Sequence, residues 1–162
     1  MKKYLFTEIP TQKIRGYQIL LDIDGTLVAD SEKNISKKTL EKIMLLSKHN
    51  NVYYCSNSKY LRDDLKKILS KNIQSLSLPA KKPRTECLSY LENTENQPLL
   101  VIGDKIFTDG LFAKNASAKF ILTKRIVSKH DSFKIKLINL VDTILGPFIS
   151  LLLIQKKIWF TI

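Results

Sequence analysis

Cysteine is nearly missing from this 162-residue chain, which carries only Cys55 and Cys87. Two cysteines match neither a disulfide framework nor a zinc-ligand spacing, so a stapled secreted fold and a structural zinc module are excluded. A reducing, cytoplasmic setting is the expectation. Glycine and proline number five each, and no low-complexity linker or internal repeat interrupts the sequence. The length then fits one compact unit with a proper core. Long apolar runs are also lacking. "MKKYLFTEIPTQK" has no stretch of signal-peptide length, and the C-terminal "ILGPFISLLLI" is short and interrupted by Gly146-Pro147. Acidic residues are scarce: 15 against 27 lysines and arginines, a formal charge of +12. Such a balance points to an anionic partner, whether a phosphorylated metabolite, an acidic membrane surface or nucleic acid.

What is present is an alternation. Tyr17 to Ile23 reads as a buried strand that ends in a Gly turn. A helix is expected from Ser36, as N-cap, to His49, with Leu40, Ile43, Met44 and Leu46 as its apolar face. Val52 to Cys55 is a second strand, and Lys59 to Ser70 a second helix. "IQSLSL" is a weaker third strand, and Arg84 to Glu92 a short helix. "PLLVIGD" and "AKFILTK" are strands four and five. Strands alternating with helices imply an α/β fold: a central parallel sheet of about five strands, covered by helices on both faces.

In such sheets ligands bind beyond the carboxyl ends of the strands. Asp22 and Asp24 end strand one, Ser56 ends strand two, Lys82 follows strand three and Asp104 ends strand four, with Asp109 five residues on. One rim can therefore gather all of them. A carboxylate there can attack phosphorus and form an acyl-phosphate. A second carboxyl group can protonate the leaving alcohol and later deprotonate water. A lysine and a hydroxyl can stabilise the phosphoryl oxygens, and a hard divalent ion fits the carboxylates. Blander readings exist for each residue. The Asp22–Asp24 pair could be an acidic turn, Ser56 or Asp109 a helix cap, Cys55 plain packing, and His49 and His130 surface residues. Lys81 competes with Lys82, and the proline that follows favours Lys82.

"DIDGTLV", "VYYCSN", "AKKP" and "VIGDKIFTD", in that order over residues 17 to 110, resemble the four motifs of the haloacid dehalogenase-like (HAD) phosphatases. The resemblance implies a Rossmannoid three-layer sandwich and an Mg2+-dependent phosphomonoester hydrolase that works through an aspartyl-phosphate. Asp22 would be the nucleophile and Asp24 the general acid/base. Ser56, Asn57 and Lys82 would bind the substrate phosphate. Mg2+ would sit on Asp22, the Asp24 backbone carbonyl and Asp104, with Asp109, Gly25 and Thr26 in support.

"PAKKP", "VIGDKIFTDGLFAKN" and "FILTKRIVSKHDSFKIKLINLVDTIL" resemble more narrowly the YqeG-type branch of subfamily IIIA. That branch includes phosphatidylglycerophosphatases. It usually has Asn where this chain has Gly25, Gln where it has Lys105, and a second Asn where it has Ser58. The resemblance implies phosphatidylglycerophosphate or a related anionic lipid phosphate as substrate. The alternatives are a small phosphorylated metabolite, or a basic, non-catalytic binding protein on the same scaffold. Nucleic acid is the least favoured partner. Neither of the family's usual cap insertion points has room for a large cap domain, so the site should be open.

The expected organisation is a core over 1–132 and a helical tail over 133–162. In the tail, Phe133, Leu137, Ile138, Val141, Ile144 and Leu145 mark one face of a helix. Gly146-Pro147 should break or bend it. Either Phe133 to Leu145 packs on the sheet as a final helix and the rest makes an oligomer contact, or the tail lies on a membrane through residues 148–162. In the last case Trp159 and Phe160 would sit at head-group depth, Lys156 and Lys157 would meet phosphates, and the protein would be peripheral on the inner face.

Overall fold

A computed structural model describes residues 3–32, 34–57, 74–75, 82–91, 97–153 and 160. The predicted helix over 59–70 and Lys81 lie outside them. Five parallel strands form one sheet: β1 (Gln18–Leu21), β2 (Asn51–Tyr54), β3 (Gln74–Ser75), β4 (Leu99–Gly103) and β5 (Lys119–Leu122). Their order is β3-β2-β1-β4-β5. The chain thus steps outward from β1 in one direction, then returns to its other side with β4. That reversal between β1 and β4 is where an open α/β sheet leaves a crevice at its carboxyl rim.

Period-two alternation divides the strand side chains between two cores. Ile19, Leu21, Val52, Tyr54, Leu100 and Ile102 pack with Ile43 and Leu46 of α1 (Lys37–Ser47) and with the N-terminal turns around Phe6 and Ile9. Leu20, Tyr53, Val101, Phe120 and Leu122 pack with Phe112 and Ala113 of α2 (Leu111–Asn115) on the opposite face. Burial on both faces explains why these strands read as continuous apolar runs. Cys55 and Cys87 are free thiols in the second core. A hydrogen bond with Cys87, and then burial, push the Cys55 thiol up, so it packs rather than reacts. Among the described residues no cap domain is inserted.

Several local expectations shift. Ser36 caps α1 as expected, its hydroxyl accepting from Thr39 N at 3.1 Å. The buried stripe of α1 is Thr39, Ile43 and Leu46, whereas Met44 is 50% exposed. Positions 39, 43 and 46 share one face, and Met44 lies about 100° round the helix from Ile43. The expected helix over 84–92 is a tighter 3-10 turn, Glu86–Tyr90.

The larger correction concerns the tail. α3 runs unbroken from Phe133 to Leu153 with Pro147 inside it. Proline removes one helical hydrogen bond and crowds the residue before it. Here that residue is Gly146, which has no Cβ to crowd. Gly146 is also buried, 3.1 Å from Ile106 at its would-be Cβ, so docking holds the helix across the proline. Ile149 packs on the second core. Phe160 is not placed for head-group contact. Its ring meets Tyr17 edge-on at 5.6 Å, and its N–H donates to Phe120 O at 3.0 Å. β5 is the edge strand of the described sheet, and Phe160 satisfies the Phe120 carbonyl. No helix among the described residues is long and apolar enough to cross a membrane.

Candidate active site

Register builds the site. Leu21 pairs with both Tyr54 and Ile102, so the chain leaves β1, β2 and β4 at the same level. Asp22 follows at once, with its N–H on Ile102 O at 2.9 Å. Beyond it the chain turns sharply: Gly25 adopts φ +87°, and Thr26 and Leu27 donate back to Ile23 O. A side chain at Gly25 would also meet the Arg125 guanidinium at 2.4 Å. Both facts favour glycine at this position.

A cavity of about 350 Å³ opens at this rim, and Asp22, Asp24, Ser56, Asn57 and Lys82 all line it. Lys82 is fully enclosed, with Nζ 2.6 Å from Asp22 Oδ1 and against Asp109 Oδ1. Burial alone would lower its pKa, but Asp109 and Asp22 reverse that and raise it. Ser56 Oγ donates to Asp24 Oδ2 at 3.0 Å. Asn57 lines the cavity and also engages Lys82. Its amide oxygen accepts from Lys82 N at 2.8 Å and its amide nitrogen donates to Lys82 O at 3.3 Å. It clamps the lysine's backbone in place.

Behind the cavity, Asp22, Asp104 and Asp109 bring carboxylate oxygens within 4.8 Å of one another, all buried. Thr26 Oγ1 lies 3.1 Å from Asp22 Oδ2 and 3.2 Å from Asp104 Oδ1, and its one proton serves either. Asp109 reaches this cluster through a π-helical turn, Ile106–Gly110, in which its own Oδ2 accepts from Lys105 N at 3.1 Å. Gly103 permits the approach, because a Cβ there would stand 2.4 Å from Asp109 Cγ. Asp24's side chain is not in the cluster.

Charge in this pocket is unbalanced. Five carboxylates, Asp22, Asp24, Asp30, Asp104 and Asp109, meet three cations, Lys82, Lys105 and Arg125. Burial, then Asp22 and Asp109, hold the Asp104 carboxyl up at about 7 despite Arg125. Burial raises Asp109 as well. Buried oxygen donors with surplus negative charge fit a hard divalent cation.

Arg125 escaped the sequence reading. It ties Asp104, from the end of β4, to Asp30 in the loop after β1. Its signal was available: it lies just past the carboxyl end of β5, on the same rim as the residues that were singled out.

A family model, described as mitochondrial PGP phosphatase, matches residues 4–128. The chain belongs to that family. No curated protein and no solved structure matches it. As a PGP phosphatase family member, the chain is a HAD-like phosphoric monoester hydrolase, and a phosphorylated substrate is implied. The match ends at residue 128, before α3 begins.

Proposed function

We propose that this PGP phosphatase family member hydrolyses a phosphomonoester through an aspartyl-phosphate on Asp22, with phosphatidylglycerophosphate or a related anionic lipid phosphate as substrate. One observation carries the reading: Asp22 lines the open cavity while Lys82 and the buried carboxylates hold it from behind. An Asp22 carboxylate oxygen attacks phosphorus and the bond to the leaving oxygen breaks. Asp24 gives that oxygen a proton. Asp24, returned to carboxylate, then takes a proton from water, which attacks the same phosphorus. The bond to Asp22 breaks, and inorganic phosphate and the free carboxylate result.

Lys82 and Ser56 balance charge on the phosphoryl oxygens, and Asn57 fixes Lys82. Asp22, Asp104 and Asp109 would hold Mg2+, with Thr26 between two of them. Bound there, the ion would neutralise the incoming phosphate and orient it for in-line attack.

Asp22→Asn keeps the shape and removes the nucleophile. Mg2+-dependent phosphate release from phosphatidylglycerophosphate should fall by a factor on the order of a thousand or more. Unchanged turnover in a folded Asp22→Asn protein would remove the mechanism. The same assay on sugar phosphates and nucleotide ends tests the substrate. Turnover of those alone would leave the hydrolase and dismiss the lipid.

A further inference from the structure

α3 is built inside out for a helix on a protein surface. The side turned to the core carries Ile135, Asn139, Asp142, Gly146 and Ile149, a half-polar stripe. The apolar residues face away. Phe133 is 80% exposed, Ile144 54%, Phe148 64% and Leu151 84%, and Leu137, Leu140 and Val141 are exposed too. A surface helix buries its apolar stripe, and this one presents it.

Outward charge on residues 124 to 151 has one sign. From residue 124 to 151 the only carboxylates are Asp131 and Asp142. Both are turned inward: Asp131 accepts from Ser31 Oγ and Ser128 N, and Asp142 from the backbone of the 106–110 turn. Lys124, Lys129, Lys134 and Lys136 remain exposed beside Phe133 and Val127. An apolar helix face rimmed by lysines, with no outward carboxylate, is complementary to an anionic lipid surface. A second copy of the chain would meet the same lysines and be repelled by them. The helix also borders the chemistry, since Ile135 lines the cavity that holds Asp22 and Lys82.

We infer that α3, through Phe133, Leu137, Val141, Ile144 and Phe148, docks the protein on an anionic bilayer. This assigns the contact to the helix itself rather than to the end of the chain, where Phe160 packs on the core. Its consequence for turnover rests on the lipid-phosphate reading. Docking itself does not.

The test uses the full chain. Vesicles of phosphatidylcholine alone, and of phosphatidylcholine with phosphatidylglycerol, are sedimented with wild type, with Leu137→Glu/Ile144→Glu and with Lys134→Glu/Lys136→Glu. Circular dichroism and Tm verify the fold, and Leu137→Gln/Ile144→Gln replaces the first variant if it does not fold. Wild type should bind the anionic vesicles, and both double variants should bind about tenfold more weakly or less. Turnover of a soluble aryl phosphate with Mg2+ should stay unchanged in both variants, while turnover of vesicle-borne lipid phosphate should fall.

Equal binding to neutral vesicles, or binding that survives both double variants, overturns the inference. So does wild type that ignores vesicles and dissociates from a dimer when Leu137 and Ile144 are replaced, because a second copy then covers the face. Vesicle binding as expected with no turnover of any phosphate would sink the hydrolase mechanism and leave docking standing.

Discussion

Two glycines decide how close the charged groups of the site can come. Gly25 leaves room for Arg125 to reach Asp104, and Gly103 leaves room for Asp109 to fold back under β4. Neither role is visible in the sequence, where both glycines merely sit in motifs. Gly103→Ala puts a methyl carbon where Asp109 now stands. Overpacking of this kind costs about 2 kcal/mol, and Asp109 must move away from Lys82. Denaturant unfolding should show that loss. Titration with Mg2+ should show weaker binding in the same variant. A Gly103→Ala protein with unchanged midpoint and metal affinity would mean that the approach is not as tight as it stands here. Arg125 illustrates the converse. Its position past β5 was legible by the rim rule, but its partners, Asp104 and Asp30, are 21 and 95 residues away in the chain.

At the scale of elements, the five strands and α1 followed from apolar runs and one N-cap, because a sheet buried on both faces leaves a plain signal. α3 did not follow so simply. Its apolar positions were legible, but the side on which they point depends on what the helix docks against. Docking is made by Gly146 on Ile106 and by Asp142, which accepts from Phe107 N at 3.1 Å and, at a longer 3.4 Å, from Ile106 N. Asp142 thereby holds the turn that delivers Asp109. Asp142→Ala strands two partly buried amides and should cost about 1–3 kcal/mol. It should also lower phosphate release, and Asp142→Asn, which keeps one acceptor, should recover part of both. Full activity with Asp142→Ala would show that the turn holds itself.

For the whole molecule, the consequence of crowding acids at one rim is a pH dependence. Free of metal, folded Asp104 titrates at about 7, against about 3.9 in an unfolded chain. Between those values the folded protein holds a proton that the unfolded one lacks. Stability of the metal-free protein should therefore fall as pH rises from about 4 through about 7, and change little above that. Mg2+ should reduce the slope by supplying the missing positive charge. Thermal melts across this range, with a chelator and then with Mg2+, check the sign. A metal-free Tm that rises over the same interval would contradict the charge balance described for the cluster.

The sequence by itself determined the sheet and its rim, and brought Asp22, Asp24, Ser56 and Asp104 to the strand ends there. Each of these follows from a local event, an apolar run that stops at a polar residue, and local events are written in order along the chain. Only the tertiary structure decided that Asn57 clamps Lys82, that a π-helical turn carries Asp109 into the buried cluster, that Arg125 closes it, and that α3 turns its apolar side outward. Those outcomes depend on which distant segments share space, and on the absence of a Cβ at Gly25, Gly103 and Gly146. Spacing along one strand or helix carries no record of that.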